Sequence, residues 1–94
     1  MSRFYVVTPE GATVEFPDDA PVVDVDVRED LRAGREPFAK IMAAVDGLKN
    51  GEVLRVRALF APAPLVAMLS QRGFVYHMVQ DADDDWSVWF WRPA

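Results

Sequence analysis

Gly51-Glu52-Val53-Leu54-Arg55-Val56-Arg57-Ala58, followed by Ala61-Pro62-Ala63-Pro64 and closed by Gly73-Phe74, decides the fold. The opening residues alternate with the period of a strand. The prolines then open a short apolar helix, in which Leu65, Met68 and Leu69 form a stripe with Val66 beside it. Gly73 stops that helix before Phe74 begins the next strand. No position in this unit is an obvious nucleophile, metal ligand or phosphate cradle.

Working outward, Phe74–Gln80 and Trp86–Arg92 read as two final strands around the turn Asp81-Ala82-Asp83-Asp84-Asp85. Upstream, Phe38, Ile41, Met42, Val45 and Leu48 fall on one helical face. Pro37 suits the first turn of that helix, and Lys49-Asn50-Gly51 is the expected left-handed end. Val22–Val27 alternates cleanly, with Val23, Val25 and Val27 on one face and Asp24 and Asp26 on the other. Arg3–Val7 and Thr13–Phe16 flank Thr8-Pro9-Glu10-Gly11 and predict a β-hairpin. Pro17–Pro21 separates it from the rest. The expected class is α+β: a two-layer sandwich of order β-α-β-α-β-β, two helices on one face of a mixed four-stranded sheet, preceded by the hairpin. Strands joined through helices imply parallel pairing, and the last two imply an antiparallel one.

Composition bounds the chemistry. The 94 residues make one domain, with 1–20 as a hairpin extension and 22–92 as the core. Ten Lys and Arg against fifteen Asp and Glu leave a formal charge of -5, which argues against a nucleic-acid binder. With no cysteine, disulfides, thiolate metal sites and cysteine catalysis are excluded. The apolar run Phe4–Val7 is too short for a signal peptide or a membrane span, so no membrane partner is expected and the cytoplasm is the default location.

Asp26-Val27-Arg28, Glu36-Pro37 at a helix start, Gly51-Glu52 before a strand, the proline-rich second helix start and Arg72-Gly73-Phe74 resemble the TusA/SirA superfamily of small sulfur carriers. The closer resemblance is to its sister branch, a bacterial domain family of unknown function without the carrier cysteine. The likeness runs from about Val22 to Arg92 and implies the two-layer sandwich. Carriers of that type hold Cys-Pro-x-Pro at the start of the first helix, where the helix dipole stabilises the thiolate. Here the stretch is Gly34-Arg35-Glu36-Pro37. Pro37 matches the second proline, Gly34 stands about where cysteine would be, and Arg35 replaces the first proline. No persulfide can be carried. Sister-branch sequences often place histidine where this chain has Glu36.

Several residues remain as candidates, each with a plainer reading. Glu36 suits a helix start electrostatically, whatever its function. His77, the single histidine, points with Val75 and Val79 away from Phe74, Tyr76 and Met78, as a half-exposed packing residue does; an aspartate across the sheet, Asp24 or Asp26, would raise its pKa. Asp81, Asp83 and Asp85 lack the glycine and glutamate of a calcium loop, since Trp86 and Arg92 stand at those places. Arg55 and Arg57 could grip an anion, but pairing with Asp24 and Asp26 is the simpler account.

The last strand carries large aromatics on both faces. If helices cover one side only, Trp89 and Trp91 stand on the other, near Arg55, Arg57, Asp24, Asp26 and His77. Three arrangements would cover them: the hairpin with Phe4, Tyr5 and Phe16, a second copy packed sheet to sheet, or a ligand or partner protein. The functional expectation is a non-catalytic binding or interaction module with no cofactor and no metal, and with an unidentified protein partner. Candidate contacts are Arg35, Glu36, Pro37, Arg55, Arg57, His77, Trp89 and Trp91. The resemblance implies a setting in bacterial sulfur, metal-centre or nitrogen-oxide metabolism. One alternative is a small-molecule-binding or enzymatic domain using Arg35, Glu36 and His77. Another is RNA binding, by analogy with the C-terminal domain of a translation initiation factor, whose fold is similar.

Overall fold

A computed structural model describes residues 5–7, 11 and 13–93. Tyr5–Val7 (β1) and Thr13–Glu15 (β2) pair antiparallel as the expected hairpin. Arg3, Phe4 and the turn residues Thr8, Pro9 and Glu10 lie outside the described residues. Then follow Val22–Asp26 (β3), Arg28–Arg32 (α1), Phe38–Gly47 (α2), Val53–Ala58 (β4), Ala63–Gln71 (α3), Val75–Ala82 (β5) and Asp85–Trp91 (β6).

The sheet is mixed, in the order β3-β4-β6-β5. β3 and β4 are parallel neighbours, as a helical crossover demands. β4 and β5, also joined through a helix, are not neighbours. β6 inserts between them, antiparallel to both. A tight hairpin after β5 allows this, because β6 can fold back on the inner side of its predecessor. The turn itself narrows to Asp83-Asp84, with a register shift between Gln80 and Ala82.

The main core lies between the helices and one sheet face. Ile41 and Val45 of α2 and Leu65 and Leu69 of α3 pack with Val25, Leu54, Val56, Val88 and Phe90. This confirms which face of each strand turns inward. Removing a ring such as Phe90, which is fully buried, costs about 3–5 kcal/mol in cores of this kind.

Three local readings change. Arg28–Arg32 forms a short helix that the periodicity did not announce, since Leu31 is its single apolar residue. The carboxylate of Asp26 starts it by accepting the Arg28 backbone N–H at 3.0 Å. α2 ends at Gly47 with Leu48 already extended, so Lys49-Asn50-Gly51 is a turn into β4 and not the helix cap. Phe38, at the first turn of α2, is 47 % exposed and outside the apolar stripe. Gly34 closes α1 with φ 73°, its N–H donating to the Leu31 carbonyl. That left-handed turn favours glycine, so a side chain there would be strained.

The hairpin finds its place on the face of the sheet away from the helices. Val6, Val53 and Trp91 form a second, smaller core with Phe16, Val14, Val75 and Trp89 around it. The molecule is therefore a two-layer sandwich with a partial third layer.

Candidate functional site on the open sheet face

Strand register brings four expected residues into one cross-strand row on the hairpin side. Asp24 pairs with Arg55, Arg55 with Trp89, and Trp89 with His77. The Arg55 guanidinium grips Asp24 with two bonds, from Nε and from a terminal nitrogen at 2.9 Å. This is the expected pairing, and its fork-to-carboxylate geometry fixes the arginine. So held, the guanidinium carbon lies 5.9 Å from the Trp89 ring centre. The His77 ring is tilted against the same indole at 5.9 Å.

Phe16, just past β2, closes the row from above. Its ring stands edge-on to Trp91 at 4.9 Å, to His77 at 6.2 Å and to Trp89 at 6.3 Å. These contacts divide the face in two. Trp91 is 3 % exposed and belongs to the core beneath the hairpin, so it offers almost no surface to a partner. Trp89 and His77 are half-buried, so part of each stays accessible. His77 has its pKa lowered by burial, not raised by an aspartate. Asp24 lies on the opposite edge strand, with β4 and β6 between, and is taken by Arg55.

Arg57 is the second correction. Its expected partner Asp26 is held instead by Arg28, whose guanidinium donates to both carboxylate oxygens at 3.0 and 2.7 Å. These bonds hold the Asp26 pKa at about 2, and push that of Arg28 upward. Arg57 turns to Asp85 at 3.5 Å, sharing that carboxylate with Arg28 at 3.3 Å. Its buried Nε has no hydrogen-bond partner among the described residues.

At the start of α2 the expected residues are occupied with structural tasks. Glu36 Oε1 accepts the Phe38 backbone N–H at 2.8 Å, satisfying a free donor of the first turn. Arg35 donates to Asp30 at 3.1 Å, and Lys40 reaches the other oxygen of Asp30 at 3.0 Å. Together they lower the Asp30 pKa. Pro37 supplies the carbonyl for the Ile41 N–H. His77 is not with them: it lies on β5, across the sheet from β3 and on the face away from the helices. Arg35, Glu36 and His77 therefore do not converge.

Asp81, Asp83 and Asp85 likewise separate. Asp81 accepts the Ser87 hydroxyl at 2.9 Å, Asp85 serves two arginines, and Asp83 lies in the turn. Among the described residues no three acidic or imidazole side chains converge on a metal position. A groove of about 870 Å³ runs between β2 and the α2–β4 connection, lined by Glu15, Leu48, Lys49, Glu52, Trp91 and Arg92. Sequence reading missed it because it exists only where the hairpin docks. No helix among the described residues is long and apolar enough to cross a membrane.

A family model described as an uncharacterized conserved protein (DUF2249) matches residues 24–92. No curated protein matches the chain, and no solved structure does.

Proposed function

The chain belongs to the DUF2249 family, and on that premise we propose that it is a non-catalytic binding module that grips a protein partner through Trp89, His77 and Arg55. The observation that supports this most is the fixed posture of Trp89. Arg55 is held by Asp24, Phe16 stands against the indole edge, and the ring remains partly exposed. A preorganised tryptophan beside an arginine contributes binding energy without an ordering cost, which is why such pairs dominate interface energetics. In this reading the fold is TusA-like, and the absence of sulfur leaves recognition in place of transfer. The cytoplasmic setting is bacterial sulfur, metal-centre or nitrogen-oxide metabolism, as the family resemblance implies. Arg55 being neutralised by Asp24, together with the net charge of -5, disfavours RNA on this face.

The test is capture from the native cell by wild-type, Trp89→Ala and Phe38→Ala chains, each verified as folded by circular dichroism. A partner held by wild type and Phe38→Ala but lost by Trp89→Ala supports the reading. Equal capture by Trp89→Ala contradicts it.

A further inference from the structure

The two edges of the main sheet are treated differently. β3 is five residues long, carries Asp24 and Asp26 at alternate positions, and has the Asp26 carbonyl taken by Lys40 Nζ at 2.8 Å. Short length, charge and covered carbonyls are the devices that keep an edge from pairing with another chain. β5, at the opposite edge, lacks the first two along its main run. It is eight residues long, and Val75–Gln80 contains no Asp, Glu, Lys, Arg or Pro. Its register with β6 is regular from Val75 to Gln80, the irregularity lying beyond. A strand of that kind presents alternate backbone N–H and C=O groups outward as a template for pairing.

The ends of β5 carry opposite charge. At its start Arg72 is exposed at the end of α3, and the Arg92 guanidinium lies 4.4 Å from the centre of the Phe74 ring. At its far end Asp81, Asp83 and Asp84 are all exposed.

The geometry points to a homodimer in which β5 pairs antiparallel with β5 of a second copy, across a two-fold axis at His77 or Met78. Such an axis sets Arg72 opposite Ala82 or Asp84 of the second copy. The cationic end of each strand then meets the acidic end of the other, twice per dimer. Parallel pairing would align like charges, and opposite like charges weaken a strand pair. Side chains opposite one another across an antiparallel pair share a face. With the axis at His77, the row Asp24-Arg55-Trp89-His77 would continue into its counterpart across one continuous sheet. This pairing uses the sheet edge, not the Trp89 flank, and does not depend on the partner proposed above.

Sedimentation velocity of the full chain across a micromolar concentration series tests it. The expected result is a monomer–dimer equilibrium. Arg72→Glu, at an exposed position, should weaken it by about tenfold. Adding Asp83→Lys and Asp84→Lys to that variant should restore the dimer by reversing both ends. Circular dichroism checks that all three chains are folded. A chain that stays monomeric throughout, a dimer indifferent to Arg72→Glu, or a charge-reversed chain that fails to recover would each overturn the pairing. So would a dimer abolished by Trp89→Ala alone, which would move the contact to the sheet face.

Discussion

Phe16 stands edge-on to Trp91, with ring centres 4.9 Å apart and planes at 71°. The contact fastens a hairpin remote in sequence to the last strand of the sheet, and it decides which tryptophan is core and which is surface. Phe16→Ala should cost about 1–3 kcal/mol, since the ring is half-buried and its aromatic contacts go with it. Hydrogen exchange should then quicken in β1 and β2 while the central strands β4 and β6 stay protected. Uniform acceleration across the chain would mean that the hairpin is integral to the main core.

The two tryptophans of β6 should separate in stability. Trp91→Ala empties a site 3 % exposed and should cost about 3–5 kcal/mol. Trp89→Ala removes a half-buried ring and should cost about 1–2 kcal/mol by the same reasoning. Urea unfolding of both variants checks the order, and equal losses would place Trp89 in the core.

His77 gives a pH signature of definite sign. Burial favours its neutral ring, so the folded chain binds this proton more weakly than the unfolded chain does. Stability from this residue is fully present above its ordinary value of 6.5 and falls as pH drops below it. Melting temperatures at about pH 7.5 and about pH 5 should differ less in His77→Gln than in wild type. An unchanged difference would remove His77 as the source.

Asp26 acts lower on the scale. Its hydrogen bonds from Arg28 take its pKa from 3.8 to about 2, so the stability it contributes is present above the first value and lost as pH falls through the second. The pair is partly exposed, with 48 % of the Asp26 side chain accessible, which limits the contribution to under about 1 kcal/mol. Asp26→Asn should remove that part of the acid transition and loosen α1, read by carboxylate titration in NMR spectra and by exchange at the Arg28 amide.

Much of the fold was legible because its signals are local. Period-two runs at Val22–Val27 and Val53–Ala58, and the stripe of Ile41 and Val45, each mark one face of one element, and each turned inward as expected. Glu36 as a helix-start residue and Asp24 as the partner of Arg55 were legible for the same reason: one follows from the helix dipole, the other from adjacent strands. What escaped required long-range placement. Nothing within β5 announces that β6 will insert between it and β4. The hairpin's docking depends on Phe16 meeting Trp91, residues far apart in the chain. Arg57 was misassigned because Arg28, two positions from Asp26, competes for the carboxylate more closely than a cross-strand neighbour can. The grouping of Arg35, Glu36 and His77 failed because strand order and sheet face separate them, which no spacing reveals.

Incorporating fluorotryptophan and recording fluorine NMR spectra, with and without the captured partner, tests the binding face most directly. The chain has three tryptophans, assignable by single Trp→Phe changes. The account predicts that the Trp89 resonance shifts on partner binding while that of Trp91, sealed under the hairpin, stays where it was. A complex that leaves Trp89 unmoved would contradict it.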